Sequence, residues 1–375
     1  MLPNKKVCIL TTVHPALDVR IFHKEAKTLA SAGYNVTLIA QHDKEEIVEG
    51  IKIIPLPKPK NRLERFLKLD YLLLKKAFEQ KADIYHFHDP ELVSIGILLK
   101  LFRKKVIYDV HEDYEAKMLN KDWIPRFLRK SIAIGFGAFE KLFSKIFDYI
   151  IVADNVIYPK FRHFLINKMV IVRNFPPIHN FKQEKNKGKN KTFVCIYAGG
   201  LSENRGLFKM VEALKYINSS IELFLLGGFE NKEDLNELKG LEEFKRVKYF
   251  GQKSWHEVMK FLAVSDAGLN LLQPVPAYLY AGENTIKIFE YMMMGLPVIS
   301  SDFPNLRKII EEAKCGICVD PANSKEIAKA IEYLTEHPDE ARKMGENGRK
   351  AVLEKYNWEN ESKKLLKVYE GLYEI

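Results

Sequence analysis

The sequence predicts an α/β protein of two doubly wound, Rossmann-like domains. Its 375 residues are long for one domain and sufficient for two, each able to bury its own core. Unbroken apolar segments of strand length alternate with helical patterns, which is typical of parallel sheets covered by helices on both faces. Between two such series, residues 182–191 are polar, basic and without periodicity, as in a linker. We therefore expect domains at residues 1–182 and 192–357, followed by a last helix at about 358–375.

The composition is that of a globular, soluble chain, with 47% hydrophobic and 29% charged residues. No apolar run approaches the length of about 18 residues that a bilayer requires, so we predict no membrane-spanning helix. Met1–Lys6 leads directly into a predicted strand and leaves no room for a signal peptide, so we expect a cytoplasmic protein. The cysteines fit a reducing compartment, and Cys315 and Cys318 have no second pair to complete a zinc site.

The charge balance is basic, with 59 Lys and Arg against 49 Asp and Glu and a pI of about 9.1. A basic surface can bind nucleic acid, anionic lipid or phosphorylated small molecules. No nucleic-acid-binding motif is visible, and the lysines are dispersed rather than interleaved with aromatic residues in one patch. We therefore expect no nucleic acid partner and favour lipid or phosphate ligands.

The first domain opens with a strand, a loop, a helix and a strand, at residues 6–12, 13–20, 24–29 and 35–40. Open α/β sheets bind ligands at the carboxyl ends of their strands, which is where this loop lies. His14, Asp18 and Arg20 are therefore candidate site residues, although Asp18 and Arg20 could equally cap and charge the start of the helix. No Gly-x-Gly-x-x-Gly follows the strand, which argues against a dinucleotide-dependent dehydrogenase.

Further strands of this domain are predicted at residues 83–87, 105–110, 149–153 and 169–173. Histidine and carboxylate follow two of them, as His88 with Asp89 and His111 with Glu112. Polar residues at neighbouring strand ends are expected to point into one cleft. Such a mixture can also bind a metal, but the spacing is not that of a known ligand set, so we expect none.

Two predicted helices, at residues 62–76 and 123–141, combine apolar stripes with lysine, arginine and aromatic residues. One interpretation is that the apolar faces pack on the sheet. The other is that they dock peripherally on an anionic membrane. The sequence leaves both interpretations open.

The second domain begins with a predicted strand at residues 192–198, followed by Gly199, Gly200 and Arg205 before a helix. Glycines let the backbone approach a phosphate, and an arginine beside a helix start can pair with it. The strands that follow are predicted at residues 221–228, 246–251, 266–270, 297–300 and 315–321. These loops and helix starts belong to one sheet, so their side chains can share one ligand.

Residues 281–300 are the most informative stretch of the chain. A helix is predicted to begin at Asn284 and Thr285, which are good N-caps. Lys287 lies in its first turn, where the helix dipole disfavours a cation unless an anion binds, and Glu290 is a carboxylate in an otherwise apolar helix. The two could form an ion pair. Alternatively, the helix start receives phosphate and Glu290 accepts hydrogen bonds from sugar hydroxyls, as in a nucleotide-sugar site.

The pattern Asn-Thr-x-Lys-x-Phe-Glu-Tyr-Met-x-x-Gly-x-Pro-Val-Ile at residues 284–299 resembles the signature of family 4 glycosyltransferases, retaining enzymes of the GT-B fold. Residues 199–206 and 14–26 are similar to two further motifs of that family. The family's first glutamate falls on Gly282, one place before Glu283. Either Glu283 takes its role through a shifted loop, or the chain belongs to a branch in which a lysine motif replaces it.

The resemblance implies two domains that face across a cleft, with the last helix packed back on the first domain. It implies a donor site at Gly199, Gly200, Arg205, Asn284, Thr285, Lys287 and Glu290. Arg205 matches the family's loop lysine, whereas Gly200 replaces its arginine. On the acceptor side it places His14, Asp18, Arg20, His88, Asp89 and Glu112, and the expected catalytic residues are His111 and Glu283.

The implied reaction transfers a sugar from a UDP- or GDP-sugar to a hydroxyl of a glycan or polyprenyl-linked acceptor, with retention of configuration, in cell-surface polysaccharide biosynthesis. The family works without a metal or another cofactor. A protein of this kind would lie in the cytoplasm, with peripheral contact to the inner face of the cell membrane. Two alternatives remain: a nucleotide-sugar 2-epimerase of the same fold and a non-catalytic binding protein.

Overall fold

The computed structural model describes residues 5–61, 64–111, 114–119, 124–165, 168–178, 192–276 and 278–373. The chain divides into two compact units, one formed by Met1–Asn174 with Trp358–Ile375 and the other by Phe175–Asn357. The predicted linker at residues 182–191 lies outside the described residues.

Strands β1 to β8 of the first unit span Lys6–Pro15, Asn35–Gln41, Glu46–Val48, Ile51–Leu56, Ile84–Phe87, Lys105–Val110, Tyr149–Val152 and Met169–Ile171. They form one sheet in the order β3-β4-β2-β1-β5-β6-β7-β8. All neighbours are parallel except β3 and β4, which are antiparallel. In β1, Val7 and Ile9 enter the core on one face and Cys8 and Leu10 enter it on the other, because successive side chains alternate across a strand. The sheet is therefore buried on both faces.

Two features of this sheet were not predicted. Strands β3 and β4 form a hairpin through a two-residue turn, in which Glu49 and Gly50 have φ of 49° and 79°. Two positive φ values in such a turn match the right-handed twist of the strands it joins. Strand β1 also continues to Pro15, which pairs with Gln41, so His14 lies in a strand and not in the predicted loop.

Helices α1 to α6 of the first unit span Lys27–Ser31, Asp70–Gln80, Val93–Leu101, Tyr114–Leu119, Arg126–Ser144 and Tyr158–Leu165. Single π-helical or 3₁₀ turns precede three of them, at Ile21–Ala26, Arg65–Leu69 and Pro90–Leu92. The predicted helix at 62–76 thus runs later, to Gln80, and buries Leu73 and Ala77. Its first two predicted residues, 62 and 63, lie outside the described part of the chain.

Helix α5 turns its large apolar side chains outward. Phe127, Ile134 and Leu142 are 81%, 53% and 58% exposed, whereas the small residues Ala133 and Gly137 are buried. The fully buried residues of this helix are small or polar, and Phe143 packs only partly buried against the core of the sheet, so most of its large apolar side chains do not pack on the sheet as the first interpretation predicted. Trp123, at the start of the predicted helix, lies outside the described residues.

Strands β9 to β14 of the second unit span Phe193–Ala198, Ile221–Leu226, Val247–Gly251, Ala267–Asn270, Val298–Ser301 and Gly316–Val319. Their order, β11-β10-β9-β12-β13-β14, is that of a Rossmann fold, and every pair is parallel. Helices α7 to α13 span Leu207–Ala213, Lys232–Lys239, Trp255–Ala263, Ile286–Met293, Pro304–Ala313, Ser324–Glu336 and Pro338–Glu354. Short 3₁₀ turns occur at Glu203–Arg205, Leu214–Tyr216 and Glu242–Arg246. Apolar residues cover both faces of this sheet as well.

The last helix, α14 at Trp358–Gly371, belongs to the first unit. Trp358 Nε1 donates to Thr28 Oγ1 at 2.9 Å, and Glu361 Oε2 accepts from the Arg173 amide at 2.9 Å. Leu365, Val368 and Tyr369 lie in the same buried cluster as Val7 and Ile9. Among the described residues, no helix has both the length and the apolar character needed to span a bilayer.

Candidate functional site

The second unit has a cavity of about 470 Å³ at the carboxyl ends of its central strands. This is the position where doubly wound sheets bind ligands, and the volume is in the usual range for a small-molecule site. The lining residues are Ala198, Gly199, Gly200, Leu226, Gly227, Gly228, Gln252, Lys253, Trp255, Val258 and Glu290. Gly199, Gly200 and Glu290 were predicted from the sequence, whereas Gln252, Lys253 and Trp255 were not.

Two glycines leave part of the wall of this cavity as bare backbone. Gly227 has φ of +140°, and a Cβ there would lie 1.8 Å from the Gly199 carbonyl oxygen. Gly199 has φ of +153°, and a Cβ there would lie 3.2 Å from Lys287 Nζ. Both positions therefore require glycine, and the absence of side chains lets a ligand approach the peptide groups closely.

Two cations lie beside this wall. Lys287 Nζ donates to Tyr197 Oη at 2.9 Å and lies 4.3 Å from the centre of the Tyr197 ring. Arg205 Nε donates to Glu230 Oε1 at 3.1 Å, at the edge of the same glycine loop. A Cβ on Gly200 would lie 3.5 Å from Arg205 Nε and 3.1 Å from Glu230 Oε1. The arginine that the family has at Gly200 would thus meet Glu230, which here pairs with Arg205.

Lys287 is held in an environment that disfavours its charge. The residue as a whole is only partly buried, but its ammonium is surrounded by protein atoms. Burial, reinforced by the nearby charge of Arg205 and opposed by that of Glu290, lowers the pKa of Lys287 to about 7. An anionic ligand would restore the ordinary charge of this lysine.

Glu290 accepts a hydrogen bond from Trp255 Nε1, with Oε1 at 2.8 Å. Trp255 is the first residue of α9, and its partner lies 35 positions away in the sequence. Lys287 is thus hydrogen-bonded to Tyr197 and Glu290 to Trp255, and the charge of Glu290 acts on Lys287 at longer range. One carboxylate oxygen of Glu290 is fixed by the indole, and the carboxylate lines the cavity.

The start of helix α10 differs from the prediction in one detail. Within residues 278–373, Thr285 is the N-cap but its hydroxyl makes no cap hydrogen bond, and the Asn284 side chain accepts instead from the Gly282 amide at 3.0 Å. The helix therefore begins at Ile286 without the predicted side-chain cap. A helix start without a side-chain cap leaves backbone N–H groups available to an anion.

Gly282 is buried, and a Cβ there would lie 2.8 Å from Asn305 Cβ. The position of the family's first glutamate is thus sterically closed in this chain unless the backbone shifts. Glu283 is partly buried and remains a predicted catalytic residue.

In the first unit, β1 and the turn after it carry His14 and Asp18. His14 Nδ1 lies 3.7 Å from Asp18 Oδ2, and His14 Nε2 lies 3.6 Å from Asp89 Oδ1. Asp18 Oδ1 accepts from the amides of Arg20 and Ile21 at 2.8 and 2.9 Å, so it does cap the next turn. Burial opposes the charge of Asp18, but the nearby imidazole of His14 and the hydrogen bonds from these amides outweigh it and lower the pKa to about 2.

Arg20 points into the unit and not toward solvent. Its Nη2 lies 2.8 Å from Asp109 Oδ2, its Nε lies 2.9 Å from Glu25 Oε1, and its Nη1 donates to the Val172 carbonyl at 3.0 Å. Both carboxylates are fully buried. Burial raises the pKa of Asp109, but the charge of Arg20 outweighs it and holds that pKa well below the usual range. Burial, together with the charge of Asp109, raises the pKa of Glu25.

Three histidines extend this charged cluster. His88 Nδ1 lies 2.9 Å from His111 Nε2, and His88 Nε2 lies 3.4 Å from Glu25 Oε2. His86 Nδ1 lies 2.8 Å from Tyr369 Oη. The side chain of His111 is 15% exposed, whereas those of His86 and His88 are fully buried. Of the three histidines, His111 is therefore the one nearest the surface. Burial lowers the pKa of both inner histidines, to about 4 for His86.

The contacts of Asp89, a predicted site residue, hold the local structure together. Its Oδ2 accepts from Thr11 Oγ1, the Thr12 amide and the Val13 amide at 2.8, 2.6 and 3.2 Å. Asp89 thereby fixes the end of β1, which carries His14. Glu112 lies outside the described residues.

Glu25, His86, His88 and Asp109 each place one ligand-type atom within 4.8 Å of the others, as a metal site would. The guanidinium of Arg20, however, bonds to both carboxylates at 2.8 and 2.9 Å. The guanidinium already contacts both groups and compensates the charge of Asp109, and a metal would have to displace it. The cluster therefore fits a buried ion-pair network better than a metal site.

Two doubly wound units with largely parallel sheets, the second with a glycine-lined cavity at the carboxyl ends of its strands, have the architecture of the GT-B glycosyltransferases. The family model described as Glycosyl transferases group 1 matches residues 179–351, and the one described as Glycosyltransferase Family 4 matches residues 19–175. Together they cover most of the chain, which belongs to the family 4 glycosyltransferases of the group 1 type. The predicted family and the α/β, GT-B fold class are confirmed.

Two relatives illustrate the similarity in sequence. The uncharacterised glycosyltransferase MJ1069 of Methanocaldococcus jannaschii is 22% identical, over 86% of this chain and 83% of its own length. The capsular polysaccharide biosynthesis glycosyltransferase CapM of Staphylococcus aureus is 22% identical, over 48% of this chain and 46% of its own.

Two solved structures show the same fold. Sucrose-phosphate synthase from Thermosynechococcus elongatus has a TM-score of 0.76 at 18% identity, covering 98% of this chain and 99% of its own. HepE from Anabaena, in complex with UDP-glucose, has a TM-score of 0.72 at 14% identity, covering 99% and 100%. At these identities the likeness extends to the fold alone.

Proposed function

We propose that this glycosyltransferase moves a sugar from a UDP- or GDP-sugar to a hydroxyl of a glycan or polyprenyl-linked acceptor, with retention of configuration. The observation that carries the donor assignment is the set of Arg205, Lys287 and Glu290 around one cavity walled by glycine backbone. Two cations match a diphosphate, and a carboxylate matches the hydroxyls of a ribose. The complex of HepE with UDP-glucose supports a nucleotide sugar as the donor.

In this proposal, Gly199, Gly200 and the amides after Asn284 and Thr285 receive the phosphates. Catalysis consists mainly of positioning the reactants and stabilising the leaving diphosphate while positive charge develops on the sugar. His111 and Glu283 are the residues that we propose to act nearest the reacting sugar, and His14, Asp18 and His88 belong to the acceptor side. No metal or further cofactor enters the proposal.

We place the reaction in cell-surface polysaccharide biosynthesis, which the name of the relative CapM supports. The exposed apolar face of α5 is interleaved with the exposed residues Arg126, Lys130 and Lys145. Apolar side chains flanked by cations fit an anionic lipid surface. We therefore propose a cytoplasmic enzyme that contacts the inner face of the membrane through α5.

A thermal-shift series with UDP-, GDP-, ADP- and dTDP-sugars tests the donor assignment. A ligand present at about 100 times its Kd adds roughly 2.7 kcal/mol of stability, so one nucleotide class should raise the Tm clearly. Glu290→Ala should abolish the shift, whereas Glu346→Ala, an exposed change on α13, should preserve it. Absence of a shift with every nucleotide would contradict the proposal.

The two alternatives are separated by product analysis. A nucleotide-sugar 2-epimerase converts the nucleotide sugar without an acceptor, whereas the proposed transferase requires one. Tight nucleotide binding without turnover on any acceptor would instead indicate a non-catalytic binding protein.

A further inference from the structure

The phenol of Tyr197 connects the parts of the proposed diphosphate site. Its oxygen accepts from Lys287 Nζ at 2.9 Å and donates to the Gly200 carbonyl at 2.9 Å. Arg205 lies nearby, and its charge opposes the rise in the pKa of Tyr197 that burial causes. Tyr197 lies in β9 and is fully buried, so its phenol is held in place by surrounding protein atoms. It ties Lys287 to the glycine loop beside Arg205.

The charges around Lys287 come from three elements. Arg205, in the 3₁₀ turn after β9, repels its charge, and Glu290, one turn along α10, attracts it. Tyr197 lies under the ammonium, while Glu230 and Tyr278 face Arg205 rather than Lys287. With burial, the repulsion outweighs the attraction and lowers the pKa of Lys287 to about 7. Without an anion beside it, Lys287 should therefore be largely the neutral amine near pH 8.

We propose that Tyr197 is a positioning residue that holds the Lys287 amine at the diphosphate site, and that Lys287 takes up one proton from solvent when a nucleotide diphosphate sugar binds. The inference rests on the proposed function and deepens it. A sugar-linked diphosphate has two acidic groups that both stay ionised near neutral pH, so the donor itself neither gains nor loses a proton. The two negative charges favour the ammonium, and the amine nitrogen accepts the proton that the solvent supplies.

The proton uptake by Lys287 predicts how the affinity for the donor changes with pH. Below pH 7 the lysine of the free protein is already charged, and donor binding should hardly depend on pH. Above pH 7 the proton must be acquired on binding, so the affinity should fall by up to about tenfold for each pH unit.

The experiment is titration calorimetry of the intact chain with UDP-glucose, or with the GDP-, ADP- or dTDP-sugar that gives the thermal shift, in two buffers of different ionisation enthalpy. At pH 8 the wild type should take up close to one proton, and at pH 7 about half a proton. Lys287→Arg keeps the charge without titrating, so its uptake should be near zero.

Tyr197→Phe keeps the ring under the ammonium but removes the oxygen that accepts its hydrogen bond. The pKa of Lys287 should fall further, so uptake at pH 7 should rise from about one half toward one while the affinity weakens. A purely structural role for Tyr197 would not change the number of protons. Binding without any dependence on buffer would overturn this inference alone, and absence of binding with every nucleotide sugar would overturn it together with the proposed function.

Discussion

At the scale of single residues, Arg20 forms ion pairs with two buried acidic side chains. The side chain is 5% exposed, and Glu25 and Asp109 are 0% exposed, so none of the three is hydrated. Removal of one partner from a buried charge network leaves an uncompensated charge, which costs far more than loss of an exposed ion pair. The polar cluster therefore makes the first unit sensitive to Arg20.

Replacement of Arg20 by methionine should lower the free energy of unfolding by about 3–5 kcal/mol, because methionine leaves Asp109 and Glu25 without their cation. Urea unfolding at pH 7 measures this change. Arg342→Met is the matched control, since the Arg342–Asp339 pair is 67% and 88% exposed and should contribute about 0–1 kcal/mol. Similar losses of unfolding free energy in Arg20→Met and Arg342→Met would contradict the assignment of Arg20 to a buried charge network.

The pH dependence of the same variant follows from Asp109. Its pKa is held below that of an unfolded aspartate, so its stabilising contribution is complete above about pH 4 and is lost as the pH falls through the folded pKa. The difference in stability between wild type and Arg20→Met should therefore narrow as the pH falls, because protonation of Asp109 removes the buried charge that Arg20 compensates.

Helix α5 is the element that leaves most of its large apolar side chains exposed, although Phe143 packs partly buried against the core. Gly137 and Ala133 allow the helix to lie close to its neighbours, and Glu140 accepts from Tyr108 Oη at 2.6 Å on the inner face. The large apolar residues consequently face outward. A membrane surface would cover them, and the adjacent cations would contact anionic headgroups.

Flotation with liposomes tests the role of α5. The wild type should co-float with vesicles that contain anionic lipid, and Phe127→Ser combined with Leu142→Ser should reduce the bound fraction at least about tenfold, since each side chain contributes roughly 1.5–3 kcal/mol when buried. Leu353→Ser, a 44% exposed position on α13 of the second unit, should have no effect. Equal co-flotation of all three proteins, or none of the wild type, would exclude the proposed contact.

At the scale of the whole molecule, one unit is a continuous segment of the chain and the other is built from two segments. The second unit is one segment, Phe175–Asn357, with covered sheet faces of its own. The first unit is completed only by α14, which adds Leu365, Val368 and Tyr369 to its core. The two units should therefore respond differently when the chain is divided.

Residues 175–357, produced alone, should unfold cooperatively and bind the nucleoside diphosphate within about tenfold of the full chain, a difference of roughly 1.4 kcal/mol. Residues 1–174 alone should not fold stably, because the apolar face that α14 covers would be exposed to water. Circular dichroism and calorimetry measure both outcomes. An unfolded 175–357 segment, or a stable 1–174 segment, would show that this division is wrong.

The sequence by itself determined the succession of strands and helices, because apolar runs and helical periodicity are local properties. It also located the glycine loop at Gly199, where backbone geometry requires glycine. The hairpin of β3 and β4 was missed, because its turn is formed by Glu49 and Gly50 and not by the Asn-Gly, Asp-Gly or Gly-Gly pair that usually indicates such a turn.

Only the tertiary structure decided which side chains meet. Trp255 and Glu290 lie 35 residues apart in sequence, and Arg20 and Asp109 lie 89 apart. No local pattern encodes such pairs, because the partner is chosen by strand order and register. The same reason explains Tyr197: its place in an apolar strand indicates a core residue, and only the approach of Lys287 and Arg205 gives its phenol a possible role at the site.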